Sequence, residues 1–302
     1  MSPAYILLYH GVTDAESIGI ENFSRKHMCA EEFEKQMKFL SENCEVTSLR
    51  EMSNTLRDKK EYPEKYVSVT FDDTFKNVYD VAFPILKKYN IPATFFITTG
   101  MIDTNRMFWV DELEEMINFS KSKKITIQIP RSTTFFIRNN REKISAINAI
   151  KLFLKSSPRD IRSKTLEDVK KKSGFLNAAR AKNYKNLSSE NIREISGTNG
   201  YEIGGHTVSH EILSCLSDDD LDREISNCIS HLSRITEKKI DLFSYPEGQS
   251  NHFNNRVIDN LKRRGIKICP TAIDGVNYSN TDSFHLKRMM VGFMKREFPF
   301  KM

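Results

Sequence analysis

Two short segments, far apart in the chain, carry the residues best suited to chemistry. One is Thr70-Phe71-Asp72-Asp73, closing an apolar run that starts at Val67. The other is His206-Thr207-Val208-Ser209-His210, which follows Glu202-Ile203-Gly204-Gly205. A catalytic zinc site takes about three N/O side chains and keeps one position open for water. One aspartate and two histidines can supply those ligands, and the second aspartate is then left over as a base. Adjacent carboxylates where a chain leaves a sheet point different ways, so one can bind metal while the other stays free. The histidines are spaced i, i+4 and would share a face on a helical turn. Gly204 and Gly205 permit close backbone approach. Thr207 and Ser209 are placed to orient an imidazole by hydrogen bonding. The chemistry indicated is metal-dependent hydrolysis.

These groups need a scaffold that brings them to one place. Apolar, β-rich runs recur at 5–9, 66–71, 93–98, 201–204, 242–245 and 267–272, with helical patterns between several of them. Phe33, Met37 and Leu40 share one helical face. Val78, Ala82, Ile85 and Tyr89 share another, and Leu221, Ile225, Ile229 and Leu232 a third. Ser217-Asp218-Asp219-Asp220 reads as a helix start, an oxygen cap followed by acids at the positive end of the dipole. Strands alternating with helices predict a parallel α/β fold, whose chemistry collects at the carboxyl ends of the strands. His10 ends the first strand, Asp72 and Asp73 end another, and His206 follows a third. Residues from about 101 to 186 break this rhythm. They are helix-prone and basic, with a possible strand pair at 125–129 and 134–137 and the only tryptophan, Trp109, near their start. They are read as an insertion into a single domain spanning 1–302.

The bulk composition narrows the classes. The 302 residues are 39% hydrophobic and 28% charged, ordinary for a globular chain. No stretch approaches the roughly 20 apolar residues of a membrane span. The run at Tyr5–Tyr9 is too short for a secretory signal and lacks its basic flank, so a cytoplasmic location is expected. Five scattered cysteines with no C-x-x-C pair predict free, mostly buried thiols. The net charge is +6, and between 151 and 185 eleven Lys/Arg accompany three Asp/Glu. That segment reads as a solvated helical face, with peripheral contact to an anionic surface as the alternative. Nucleic acid is not expected, because no stacking aromatics interleave with the basic residues.

Further short motifs stand in order along the chain: Tyr9-His10-Gly11-Val12; Ile91-Pro92-Ala93-Thr94-Phe95-Phe96; Phe243-Ser244-Tyr245-Pro246-Glu247-Gly248; and Leu286-Lys287-Arg288-Met289. With the two segments above, they make the sequence resemble the polysaccharide deacetylases, the NodB-homology domain of the family-four carbohydrate esterases. The resemblance covers most of the chain outside the insertion. It implies an α/β fold, a distorted (β/α) barrel, that removes N-acetyl groups from an amino-sugar polysaccharide or its glycolipid or nucleotide-sugar precursor. It also implies a divalent metal, usually Zn2+, on Asp73, His206 and His210, with Asp72 as the base that activates a zinc-bound water. The Glu247 N–H, after Pro246, would bind the oxyanion, and Glu247 and Trp109 are candidates for substrate contact.

The chain departs from the family pattern in two places. Ser244 stands where many members carry an arginine that supports the base, and no histidine occupies the late motif that often supplies the acid. Two substitutes are expected: Arg288 pairing with Asp72 from another strand, and His10 as the acid. The rival functions are a metal-dependent amidase or deformylase acting on a non-sugar amide, and an inactive glycan-binding module.

Overall fold

The computed structural model describes residues 2–73, 75–175 and 182–302. In chain order its elements are β1 (Ala4–Tyr9), β2 (Gly11–Thr13), β3 (His27–Cys29), α1 (Ala30–Asn43), β4 (Glu45–Val46), α2 (Leu49–Arg57), β5 (Tyr66–Phe71), α3 (Phe83–Lys88), β6 (Ala93–Ile97), α4 (Trp109–Asn118), β7 (Lys124–Gln128), β8 (Ser132–Phe136), α5 (Asn140–Lys155), α6 (Arg159–Ser173), α7 (Ser189–Gly197), β9 (Tyr201–Gly205), α8 (Asp218–Thr236), α9 (Asn255–Arg263) and β10 (Met289–Met290). They form two compact units. One comprises 1–14, 24–105 and 186–302, and the other 15–23 and 106–185.

The first unit is built on a parallel sheet in the order β10-β1-β5-β6-β9, with the short β4 also on β5. Every residue of β5 is buried, as in a sheet covered on both faces. Beyond β9 the backbone bonding continues around a ring. Gly205 N–H donates to Leu242 O, Phe243 N–H to Ile268 O, Thr271 N–H to Leu286 O, and Arg288 N–H to Ile273 O. β10 then returns to β1. The result is a distorted barrel. The runs at 242–245 and 267–272, expected as strands, contribute only isolated bridges, Gly205 to Phe243 and Leu242 to Ile268. Pro246 and Pro270 have no N–H to give to a ladder, so neither run can extend as a regular strand.

The helices pack as their apolar stripes require, with local exceptions. α1 buries Phe33, Met37 and Leu40. In α8 the buried stripe is Leu221, Ile225, Cys228 and Leu232, so Cys228 takes the place expected of Ile229. A Cβ on Gly205 would lie 3.1 Å from the Cys228 sulfur and 2.6 Å from the Phe243 ring, so this glycine is what allows α8 so close to β9. Before α3 the chain makes a π turn over Val78–Ala82. Pro84 cannot donate the helical bond to residue 80, and the wider turn moves the buried face from Val78 and Ala82 to Phe83 and Leu86. Ile85 and Tyr89 are consequently only half-buried. All five cysteines are free, but only Cys228 and Cys269 are buried. Cys29 and Cys215 are exposed, which corrects the expectation of mostly buried thiols.

The second unit packs α4, α5 and α6 with the antiparallel β7–β8 pair. β7 alternates exposed and buried residues, placing Ile125 and Ile127 in a core with Leu113, Ile147, Leu154 and Val169. Segment 15–23 folds with it. Asn118 Oδ1 accepts from Ile20 N–H at 3.0 Å, Asn118 Nδ2 donates to Ile18 O at 2.8 Å, and Ile20 joins the apolar core. Among the described residues, no helix is long and apolar enough to cross a membrane.

Candidate active site

Strand register brings the candidate groups together. β1 and β5 run in step from Ala4 beside Tyr66 to Tyr9 beside Phe71, so His10 and Asp72 leave the sheet as neighbours. β6 and β9 pair Ile97 with Gly205, and His206 N–H donates to Ile97 O. After Asp72 the chain turns sharply, with Asp73 at φ 77°, and the two carboxylates diverge. Asp73 Oδ1 lies 3.3 Å from His210 Nε2 and 3.9 Å from His206 Nε2. The ligand atoms of these three residues all fall within 4.8 Å of one another.

The donor set fits a divalent cation. Asp73 Oδ1 is buried with no hydrogen-bond partner among the described residues, an oxygen that costs free energy unless something positive meets it. His206 Nδ1 lies 2.8 Å from Ser244 O. A carbonyl only accepts, so that nitrogen carries the proton and leaves the Nε2 lone pair directed at the site. One carboxylate with two neutral imidazoles suits zinc, and cobalt or nickel can occupy such a set.

Asp72 is held differently. Arg288, fully buried, grips it with a two-pronged fork, Nη1 to Oδ1 and Nη2 to Oδ2, both at 2.7 Å. The remaining Arg288 donors are also directed, Nε to Thr271 O at 2.6 Å and Nη2 to Ser244 Oγ at 2.7 Å. Ser244 Oγ in turn donates to Asp72 Oδ2 at 3.3 Å. Burial alone would raise the Asp72 carboxyl, but Arg288 and then His206 outweigh it and hold the group at about 2. Among the described residues Asp73 has no such partner, and burial raises its carboxyl. The paired acids are thus driven apart: one is kept ionised by arginine, while the other keeps an oxygen that a cation would satisfy. At position 244 the short serine side chain leaves room for the guanidinium that comes from the residue before β10.

The histidine pair is not on a helical turn. Thr207 and His210 both take left-handed backbone angles, φ 65° and 58°, and residues 206–210 form a loop. For a β-branched threonine this conformation costs about 1–3 kcal/mol, so the surroundings must enforce it. Thr207 Oγ1 accepts from His210 N–H at 2.9 Å. The Glu224 carboxylate, on α8, accepts from Val208 N–H at 2.8 Å, from Ser209 N–H at 2.9 Å and from the Ser209 hydroxyl. Of the two hydroxyls expected to orient imidazoles, that of Thr207 bonds the loop backbone and that of Ser209 donates to the Glu224 carboxylate. The two rings still meet, with centroids 4.9 Å apart.

His10 lies at the same rim. Its ring is 5.4 Å from that of Phe293, and its Nδ1 is buried without a partner among the described residues. Burial lowers the His10 imidazolium, and the charges of Asp73 and Asp72 oppose that shift without overcoming it. Pro246 is buried, and Glu247 sits in a turn at φ 59° that Gly248 closes by donating to Pro246 O. Trp109 lies in the second unit, where it packs on the apolar core with the Arg162 guanidinium 5.7 Å from its ring. His27 is buried against Phe75, its Nδ1 2.8 Å from Asn77 Nδ2, and exposed Asp274 pairs with Arg296. Glu224 had no sequence signal, since an acid on the polar side of an amphipathic helix looks like any other.

A family model described as "Polysaccharide deacetylase" matches residues 59–122 and 164–269, more than half of the chain. The chain belongs to the polysaccharide deacetylase family. Among curated members, the putative polysaccharide deacetylase YxkH of Bacillus subtilis (strain 168) is 32% identical over 112 residues, 37% of each chain. The poly-beta-1,6-N-acetyl-D-glucosamine N-deacetylase of Staphylococcus aureus (strain MSSA476) is 37% identical over 103 residues, covering 32% of this chain and 34% of that protein. The chain thus spans only about a third of the length of the curated relatives it matches. Two solved structures share the fold over 96% of this chain and 92% of theirs, each at 18% identity: the Streptococcus pyogenes deacetylase PplD in complex with acetate, TM-score 0.62, and IcaB from Ammonifex degensii, TM-score 0.61. The distorted barrel is therefore the fold of this deacetylase family.

Proposed function

We propose that this family member is a metal-dependent hydrolase that removes N-acetyl groups from an amino-sugar polysaccharide or its biosynthetic precursor. The observation that carries this reading is the convergence of Asp73, His206 and His210 beside an Asp72 held ionised by Arg288. A divalent cation held by Asp73, His206 and His210 would polarise the acetamide carbonyl and acidify a water. Asp72, fixed by the Arg288 fork and the Ser244 hydroxyl, accepts the proton of that water as its oxygen adds to the carbonyl carbon. The Glu247 N–H is assigned to the developing oxyanion. His10 is assigned to give a proton to the amine nitrogen as the C–N bond breaks, because an unprotonated amide nitrogen leaves poorly.

The test is acetate release from N-acetylglucosamine oligosaccharides by the zinc-loaded chain, with formylated and acetylated small amides as competitors. Acetate release that Asp72→Asn lowers by about 100-fold or more supports the reading, in line with a general base worth 10²–10⁴. Glycan binding without turnover would leave a binding module. Turnover confined to small amides would leave an amidase.

A further inference from the structure

We propose that Glu224 is a positioning residue for the metal centre, acting through the 206–210 loop. This rests on the reading of Asp73, His206 and His210 as cation ligands. His206 is aimed from two sides, by its backbone bond to Ile97 and by the Ser244 carbonyl at its Nδ1. His210 comes at the end of a loop with left-handed angles at Thr207 and at His210 itself. Whether its Nε2 reaches Asp73 therefore depends on what keeps that loop in shape.

The loop is held along both of its polar edges. On one edge its carbonyls are taken by backbone: Thr99 N–H donates to Thr207 O at 3.0 Å, and Gly100 N–H to Val208 O at 2.8 Å. A Cβ at position 100 would stand 2.4 Å from Val208 O, so only glycine permits this approach. On the other edge the N–H groups of Val208 and Ser209 both converge on Glu224 Oε2, while Oε1 takes the Ser209 hydroxyl. One side chain thus supplies the acceptors for two successive amides and a hydroxyl. A carboxylate is suited to this, because both oxygens only accept. Its base is rigid, since the preceding and following turns of α8 bury Leu221, Ile225 and Cys228. Without Glu224 the amide edge is released, and only the carbonyl edge and the His210 N–H to Thr207 Oγ1 bond are left to hold Thr207 in a conformation that threonine disfavours.

The experiment is zinc affinity by competition with a chromogenic chelator, on the full chain. It compares wild type with Glu224→Gln, Glu224→Asp, Glu224→Ala and His206→Ala. Glutamine keeps the reach and can turn its carbonyl to the two amides and its NH₂ to the Ser209 oxygen, so its affinity should stay within about threefold of wild type. Aspartate keeps the charge but is one methylene too short, and alanine has no acceptor. Both should bind zinc about 10- to 100-fold more weakly, the size of effect seen when a ligand's supporting contacts are lost. If the alanine variant does not fold, the glutamine–aspartate comparison decides alone. Equal affinity in the aspartate variant and wild type, with His206→Ala not binding, overturns the role of Glu224 and leaves the site intact. A glutamine variant as weak as aspartate also overturns it. Wild type that binds no zinc removes the site and this proposal together.

Discussion

At the scale of residues, the centre works by giving two neighbouring carboxylates opposite environments. Asp72 is gripped by a buried guanidinium and a hydroxyl, while Asp73 keeps an oxygen for a cation. Because Arg288 and Asp72 are both buried, removing one leaves an uncompensated charge. Arg288→Met is therefore expected to cost about 3–5 kcal/mol of stability, read as a lower midpoint of urea denaturation. Arg288→Lys is the more telling variant for function. A lysine is a single point charge that cannot make the fork, so Asp72 loses its fixed orientation. We expect this protein to fold and its acetate release to fall by at least about tenfold, a modest part of what a general base contributes. Turnover within twofold of wild type would show that the fork does not serve the reaction.

At the scale of elements, the opposite end of the barrel is tied by charge. Arg50 of α2 forks onto Asp241, at 2.8 and 3.0 Å, and its Nε reaches Glu202 of β9 at 2.8 Å. This joins α2 to β9 and to the irregular segment that continues the barrel. Burial would raise the Asp241 carboxyl, but Arg50 and Lys267 outweigh it and hold it below the ordinary 3.8. The folded protein thus keeps Asp241 ionised to lower pH than the unfolded chain does. Stability from the pair is complete above about pH 4 and is lost as pH falls through the folded value. Arg50 is 39% exposed, so the contribution is discounted to about 1 kcal/mol or less. Arg50→Met should lower Tm slightly at pH 7, with the gap to wild type closing below pH 4. A gap that persists unchanged at pH 3 would contradict this assignment.

At the scale of the whole molecule, the candidate ligands join chain segments more than a hundred residues apart, Asp73 after β5 and His206 and His210 after β9. A cation that binds only the folded chain adds RT ln(1 + [L]/Kd), about 4 kcal/mol at a thousandfold excess over Kd. Calorimetry should therefore show a rise in Tm with added zinc, absent in His206→Ala. An identical rise in the variant would place the zinc elsewhere.

What could be read from the chain alone was whatever depends on local pattern. The apolar run ending in Asp72-Asp73, the apolar face of α1 and the Ser217 cap of α8 are set by residues a few positions apart. Each reappears in the fold. The Arg288–Asp72 pair is legible only through the family resemblance, because position 244 lacks the arginine that many members carry. Three features needed the tertiary structure. The His206–His210 spacing fits a helix as well as a loop, and the choice falls to Glu224 and to residues 99 and 100, none of them neighbours in sequence. The path of 15–23 into the second unit hangs on Asn118, about a hundred residues away. The barrel closes through segments too interrupted by proline to announce themselves as strands. Local propensity fixes where elements begin and end. Partners distant in sequence are chosen by which arrangement buries the most apolar surface while leaving the fewest polar groups unpaired, a property of the whole chain.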